Sequence, residues 1–308
     1  MEKTGICQFC FGCDPTRCSW TDFICCYQFP NKCLPAISQE KVFALQGGTA
    51  INMFVRPMPR LSVDIDLTYL PIEDRDTTLK KIGNALENIA KKVEKTITGV
   101  KVQKTARMER IAKLVVSSSE AIIKIEPNEV LRGVTAEPRL MDLVKEAEVL
   151  FEFSVSAPVI PLTDLYGGKI CAALDRQHPR DLFDILILLE NEGITDKIRK
   201  GFLVFLASHN RPMHELIKPT LKDISKIYEN DFKEMISKPV SIEKLYNTRE
   251  TLIKTLGETM TTDEKRFLLS LKEGNPEWNL PGIPNIDKFP GIQWKLMNIK
   301  KMSLSNKN

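Results

Sequence analysis

The chain has 308 residues, of which 43% are hydrophobic and 27% charged, and its formal net charge is +4. This length and apolar content suffice for one large or two ordinary hydrophobic cores, which excludes disorder throughout the chain. The mildly basic balance permits a partner such as RNA or DNA without requiring one. No stretch approaches the roughly 18 apolar residues of a membrane span, and no secretory signal pattern begins the chain, so we expect a cytoplasmic protein.

The N-terminal segment is unusually rich in cysteine, because seven of the eight cysteines lie within the first 33 residues. The spacing of Cys7, Cys10, Cys13 and Cys18 is typical of a zinc or iron–sulfur loop. A second C-x2-C pair and any helix or strand periodicity are missing there, which favours a disordered leader or a segment translated from a misplaced start or shifted frame. We therefore predict a leader over residues 1–38.

Two glycines, Gly47 and Gly48, end the short apolar run Val42–Leu45 and precede residues with a helical pattern. This order predicts a strand, a glycine turn and a helix beginning near Thr49. Backbone N–H groups at such a turn and helix N-terminus can bind phosphate oxygens.

Two acidic residues share one face of the next predicted strand, Arg60–Leu67. The side-chain period of two places Ser62, Asp64 and Asp66 on one side and apolar residues on the other. Neighbouring carboxylates repel each other unless a cation lies between them, and their hard oxygen atoms favour Mg²⁺ or Mn²⁺. A solvated acidic face is the alternative, but the upstream glycine turn favours a nucleotide-handling site.

The segment that follows alternates helix and strand signals and predicts an α+β unit with a mixed sheet. A helix is predicted over residues 73–96, and strands over Arg110–Ser117 and Glu120–Glu126. Glu126 lies on the polar side of the last strand and can join the aspartate pair as a third carboxylate. An exposed strand end is the alternative for Glu126.

After a variable segment over residues 128–158, a helix is predicted from Pro161 to Leu174, with Thr163 or Asp164 as its N-cap. A second helix begins near Pro179. Five charged residues on these helices lie among residues apolar enough to be buried: Lys169, Arg176, Arg180, Asp181 and Asp184. Because buried charges must be paired or functional, this cluster is a candidate for both, against the alternative of a solvated face.

The remaining chain carries no catalytic signature. Apolar periodicity over residues 195–272 predicts helices, and the tail over residues 274–294, rich in Pro and Gly, predicts an irregular surface segment.

Four ordered motifs and a tail segment carry a family resemblance. They are Gly47–Ile51, Arg60–Leu67, Asp164–Lys169, Arg180–Asp184 and Ile292–Asn298. Over about residues 41–300 the chain resembles the AbiEii family of nucleotidyltransferase toxins, within the DNA polymerase β-like nucleotidyltransferase superfamily. The glycine and D-x-D motifs alone indicate only the superfamily, and the two helical motifs narrow it.

The resemblance implies a polymerase β-like core over residues 39–160 and a mainly helical domain over residues 161–308 that completes the active site. It implies a toxin of a type IV toxin–antitoxin or abortive-infection system that uses an NTP and Mg²⁺ or Mn²⁺. Some similar toxins transfer nucleotides to tRNA 3′ ends, so the implied partners are an NTP, an RNA acceptor such as tRNA, and an AbiEi-like antitoxin.

The resemblance also implies roles for individual residues. The metal ligands would be Asp64, Asp66 and Glu126. The nucleotide would contact Gly47, Gly48, Thr49, Arg60, Ser62, Lys169 and Arg176. Catalysis would depend on Asp64, Asp66, Lys169 and Asp181, with Asp181 as a base or as the residue that orients Lys169 and Arg176, and with Asp184 structural.

Two other functions fit parts of this pattern. A phosphotransferase or kinase on the same fold would release ADP or GDP instead of pyrophosphate. A non-catalytic module that binds nucleic acid or an antitoxin would not need Asp64 and Asp66.

Overall fold

The computed structural model describes residues 31–62, 64–107, 110–119 and 121–305. They divide into two compact units. Unit 1 takes its described residues from Met1–Glu129, Pro138–Ile160 and Asn230–Pro239, and unit 2 from Val130–Glu137, Pro161–Glu229 and Val240–Asn308. The chain passes from one unit to the other at 129/130, 137/138, 160/161, 229/230 and 239/240.

Unit 1 is built on a seven-stranded mixed sheet in the described residues. The strands are β1 (Phe43–Gln46), β2 (Ile65–Tyr69), β3 (Lys101–Arg107), β4 (Arg110–Ser117), β5 (Ile122–Asn128), β6 (Arg139–Asp142) and β7 (Ser156–Val159). Their order is β3-β4-β5-β2-β1-β7-β6, with β1 parallel to β7 and β2 parallel to β5. The mixed sheet confirms the predicted α+β class. β3, β6 and β7 were missed by the sequence analysis.

Four helical segments accompany this sheet: α1 (residues 31–38), α2 (Gly47–Ala50), α3 (Arg75–Thr96) and α4 (Lys145–Phe151). A π-helical turn, Ile51–Val55, continues α2. Helix α3 confirms the helix predicted over residues 73–96. Asp74 caps its start by accepting a hydrogen bond from the Thr77 N–H. Its buried Leu79, Ile82 and Leu86 recur at the spacing of one helix face and pack into the core.

The C-terminal part of the predicted leader differs from expectation. Residues 31–38 form helix α1, with Cys33, Leu34 and Ile37 at most 2% exposed. These residues recur at helical spacing, but Pro35 and the aperiodic sequence before them hid the pattern. Residues 1–30, with the four cysteines of metal-loop spacing, lie outside the described residues.

Unit 2 is helical in its described residues. Its helices are α5 (Leu162–Asp175), α6 (Pro179–Glu190), α7 (Asp196–Ser208), α8 (Met213–Ile217), α9 (Ser225–Asp231, whose last two residues belong to unit 1), α10 (Ile242–Thr259), α11 (Thr262–Lys272) and α12 (Pro290–Ser305). Within the described residues, no helix is both long enough and apolar enough to span a bilayer.

Two sequence predictions for this unit were wrong. The N-cap of α5 is Pro161, without a side-chain cap, and not Thr163 or Asp164. The tail was expected to be irregular through residue 294, yet Pro290 begins α12. Proline is well tolerated at the start of a helix because its missing N–H would have no intrahelical partner there.

Helices α5 and α7 pack backbone against backbone. A methyl group on Gly167 would lie 2.5 Å from the Gly201 carbonyl carbon, and one on Gly201 would overlap the Thr163 carbonyl oxygen. Glycine at both positions therefore lets the helices approach closely. This contact fixes α5, the helix that carries Lys169.

Candidate functional site

The glycine turn brings a carboxylate against the start of a helix. Gly47 follows β1 directly and has φ +74°, in the left-handed region that favours glycine. A methyl group at this position would overlap Asp66 Oδ2. The Asp66 carboxylate thus occupies the space beside the Gly47 Cα, where α2 begins.

The second glycine, Gly48, lies against the segment that precedes β2. A methyl group on Gly48 would lie 2.5 Å from Ser62 Oγ and 2.7 Å from Arg60 Nη2. The hydroxyl of the fully buried Thr49 donates to the Asp64 carbonyl at 2.5 Å and lies 3.2 Å from Ser62 Oγ. The Gly47–Gly48–Thr49 turn and the acidic segment therefore form one packed arrangement.

Asp64 and Asp66 lie on one side of the chain, as predicted. Ile65 and Leu67 are fully buried, whereas the two aspartates between and before them are half-buried. The strand itself begins at Ile65, not at Arg60 as predicted. Residues 60 and 61 instead pair with another segment, since Arg60 bridges Ile236 and the Leu61 N–H donates to the Met235 carbonyl at 2.8 Å.

Glu126 lies next to Asp66 in the parallel pairing of β5 with β2, where Asp66 is opposite Glu126. Its Oε1 atom accepts from Lys113 Nζ at 3.1 Å, and both side chains are about 40% exposed. The described residues include no group of three or more His, Cys, Asp or Glu side chains arranged to hold a metal ion. A role for Glu126 as third ligand therefore stays a prediction.

The donor set of the aspartate pair fits a hard divalent cation. Carboxylates two residues apart on one side present oxygen ligands, the kind that Mg²⁺ and Mn²⁺ prefer. The adjacent helix N-terminus carries partial positive charge and N–H groups without intrahelical partners, which suit a phosphate. This part of unit 1 can therefore hold a metal and an anionic group side by side.

Arg60 and Ser62 were predicted to bind nucleotide. Arg60 is only 3% exposed and donates through Nη1 to the Leu61 carbonyl at 2.7 Å, and Ser62 is buried against Gly48 and Thr49. These contacts shape the segment before β2. Direct contact of either residue with nucleotide stays a prediction.

Unit 2 holds the second set of candidate residues in a buried ion network. Lys169 Nζ on α5 lies 3.2 Å from Asp181 Oδ1 and 2.9 Å from Asp184 Oδ2, both on α6. Arg176 Nη2 lies 2.8 Å from Asp181 Oδ2. The three residues of the Lys169–Asp181–Asp184 triad are at most 8% exposed, while the Arg176 side chain reaches solvent. The sequence prediction of a paired, buried cluster is confirmed for Lys169, Asp181 and Asp184, whereas Arg176 is paired but exposed.

Comparison with known proteins gives a family for this chain. Residues 32–287 match the family described as Nucleotidyl transferase AbiEii toxin, type IV TA system. The protein belongs to the AbiEii family. No protein of curated function matches it in sequence. All the candidate residues described above lie within the matched range.

Solved structures give the fold. MenT4, a nucleotidyltransferase toxin from Mycobacterium tuberculosis H37Rv, matches with a TM-score of 0.59 and 14% identity over 81% of this chain and 89% of MenT4. JHP933 from Helicobacter pylori matches with a TM-score of 0.40 and 16% identity over 75% of this chain and 94% of that protein, too weakly to carry an argument. The MenT4 match and the family confirm the predicted nucleotidyltransferase fold.

The AbiEii chain also holds residues that sequence reasoning missed. Asp164, predicted as a possible helix cap and as part of a motif, is 3% exposed and accepts from the Thr135 N–H at 2.7 Å and the Thr135 hydroxyl at 2.5 Å. Burial raises the pKa of the Asp164 carboxyl. No sequence signal links Thr135 to Asp164, because 28 residues without clear periodicity separate them.

Proposed function

We propose that this AbiEii protein is a metal-dependent nucleotidyltransferase that transfers an NMP from an NTP to an RNA acceptor, with a tRNA 3′ end as the proposed acceptor. The observation that carries this proposal is the packing of Asp66 against Gly47, with Asp64 on the same side two residues earlier. That arrangement supports the proposal, because carboxylates that could bind a metal lie beside a helix start whose N–H groups could bind phosphate. As a toxin of this type, it would block translation in the cytoplasm and have an antitoxin of its own system.

In the proposed reaction, Asp64 and Asp66 would hold Mg²⁺ or Mn²⁺, and the bound metal would supply positive charge that offsets the charge of the triphosphate. The N–H groups of Gly47, Gly48 and Thr49 bind the β- and γ-phosphates. An acceptor hydroxyl oxygen forms a bond to the α-phosphorus as the bond to the bridging oxygen of the leaving group breaks. Pyrophosphate and one proton are released.

The ion network of unit 2 supports one of the two roles considered for Asp181. Its carboxylate contacts Lys169 and Arg176 together, which suits a residue that orients cations better than one that accepts a proton. In the proposal Lys169 supplies positive charge to phosphate oxygens, and Arg176 contributes to nucleotide or RNA binding. Asp184, 1% exposed and paired with Lys169, has a structural role.

The first test incubates purified protein with each labelled NTP and total RNA, and follows label transfer and pyrophosphate. Asp64→Asn and Asp66→Asn remove metal ligands with little change in shape, so we expect transfer to be lost while the variants stay folded. Asp142→Asn is the matched control, because this exposed acid on β6 bonds Ser156 away from the glycine turn. Glu126→Gln tests the third ligand.

Wild-type transfer by a folded Asp64→Asn or Asp66→Asn protein would overturn the metal site. Release of ADP or GDP in place of pyrophosphate would indicate phosphoryl transfer instead.

The acceptor is tested by salt dependence. If RNA phosphates contact Arg176, log affinity for tRNA falls with log salt, and Arg176→Gln lowers the slope by about one contact's share, roughly 0.7 to 0.9. Arg266→Gln serves as the control, since this arginine lies on α11 and pairs with Glu277. Label on a protein or small molecule, with tRNA unmodified, would refute the RNA acceptor and leave nucleotidyl transfer intact.

A further inference from the structure

A buried glutamine forms the middle of the link between α5 and α6. Arg176 is the C-cap of α5 and His178 the N-cap of α6, so Gln177 alone separates the caps. Gln177 is 1% exposed and has φ +53°. Side chains other than glycine rarely adopt this left-handed conformation, and it persists only where the surroundings hold it.

The surroundings hold Gln177 through both the oxygen and the nitrogen of its amide. Its Oε1 atom accepts from the Lys222 N–H at 3.0 Å and from Arg249 Nη1 at 2.9 Å, and its Nε2 donates to the Thr220 carbonyl at 2.8 Å. A buried amide bonded on both sides has one favoured orientation. The link is therefore tied to the segment before α9 and to α10.

Arg249 completes this arrangement from α10. It is 5% exposed, and its Nη1 atom also donates to the Lys222 carbonyl at 2.7 Å. Its guanidinium lies 4.9 Å from the centre of the Tyr246 ring, a cation–π contact that supports the buried charge. Arg249 thus joins Gln177 and Lys222 through a single guanidinium.

The link between α5 and α6 sets the position of Asp181 relative to Lys169 and Arg176. Lys169 and Arg176 come from α5, and their partner Asp181 is the third residue of α6, just after the link. The hydrogen bonds between them are 2.8 to 3.2 Å long. A change in the backbone at Gln177 would rotate the start of α6 and move the Asp181 carboxylate away from Lys169 and Arg176.

We propose that Gln177, held by Arg249, is a positioning residue for the Lys169–Arg176–Asp181 cluster. This inference deepens the proposed function and rests on the catalytic role given to Lys169. It assigns the glutamine no contact with substrate. Its effect on transfer passes through the placement of Lys169 and Arg176, where a misplacement of about 1 Å can cost roughly 10²-fold in rate.

The test compares Gln177→Ala and Gln177→Gly in the full chain. Glycine accepts the left-handed backbone but has no amide, so we expect both variants to lose about 10²-fold in kcat. The ammonium resonance of Lys169, observed by ¹⁵N NMR and assigned with Lys169→Arg, should shift in both. Asn285→Ala is the matched control, because Asn285 has φ +56° in unit 2 on the turn before α12. This control should leave kcat and the Lys169 resonance unchanged.

Variants of Arg249 provide a second, independent test. Arg249→Met removes one partner of Gln177 Oε1, and the double variant with Gln177→Ala should lose no more activity than Gln177→Ala alone, because both act through one link. Arg249→Lys should restore part of the activity lost in Arg249→Met, because lysine keeps the positive charge. The recovery should be incomplete, because lysine lacks the planar guanidinium group of arginine.

The outcomes separate the two proposals. Full kcat and an unshifted Lys169 resonance in folded Gln177→Ala would overturn the positioning role, as would additive losses in the double variant. Full transfer by Lys169→Ala would instead remove the catalytic role of the cluster, even if the resonance still shifted in Gln177→Ala.

Discussion

Gly47→Ala tests the contact on which the proposed metal site depends. The new methyl group would overlap Asp66 Oδ2, and the residue would have to keep φ +74°. Gly99 is a matched control in unit 1, because it has φ +76° and no atom lies within 4 Å of an added methyl group. Gly99→Ala therefore carries the backbone cost without the collision.

The two effects have separable magnitudes. A left-handed alanine costs roughly 1–2 kcal/mol, so Gly99→Ala should lower the free energy of unfolding by about that amount. Gly47→Ala carries the same cost plus roughly 1–3 kcal/mol for overpacking against Asp66. The difference between the variants therefore measures the collision alone.

Activity should separate the variants more sharply than stability. Displacing the Asp66 carboxylate by about 1 Å should lower kcat roughly 10²-fold in Gly47→Ala, whereas Gly99→Ala should keep wild-type kcat. Urea unfolding gives the stabilities, and label transfer from NTP gives the rates. Equal kcat in the two variants would show that the contact between Gly47 and Asp66 is not part of the active arrangement.

Three further perturbations test other parts of the molecule. Thr49→Val should lower the free energy of unfolding by about 1–3 kcal/mol and reduce transfer, because the Asp64 carbonyl loses its donor. Thr49→Ser keeps the donor and should keep transfer, with a loss of only about 1 kcal/mol for the buried methyl group. Lys169→Met should cost about 3–5 kcal/mol in urea unfolding, since the buried Asp181 and Asp184 lose their shared cation; a cost below 1 kcal/mol would contradict the pairing. Burial lowers the pKa of His209 below 6.5, so the unfolded chain binds the extra proton first and stability should fall as pH drops below about 6.5; His209→Gln should flatten this part of the profile, and an unchanged profile would refute the assignment.

The sequence was sufficient where local periodicity carried the information. Ile65 and Leu67 alternate with Asp64 and Asp66, and this alternation alone predicted which side chains face the core. The apolar residues around Lys169, Asp181 and Asp184 likewise predicted that these charges are buried and paired. In these cases the sequence neighbours of a residue determine whether its side chain faces the core.

Contacts between distant segments could not be predicted in this way. Gln177 has no sequence feature that indicates a left-handed backbone, since its conformation depends on Thr220, Lys222 and Arg249. The strand expected to begin at Arg60 starts at Ile65 because residues 60–61 pair with residues 235–236, far along the chain. Tertiary hydrogen bonds decided both cases.

The interleaving of the two units along the chain limits how this protein can be divided. The backbone changes unit at 129/130, 137/138, 160/161, 229/230 and 239/240. A fragment ending at residue 160 would lack Met235 and Ser237, whose backbone and hydroxyl groups bond Leu61 and Pro59 next to the acidic segment. A split-protein reporter cut at 160/161 should therefore give an N-terminal half that lacks the hydrogen bonds to Leu61 and Pro59 beside the acidic segment. Inducible control of such a toxin by two-piece reconstitution calls for a cut in a turn after residue 239, such as the turn at Glu273 and Gly274, because that cut leaves every segment of unit 1 in one piece.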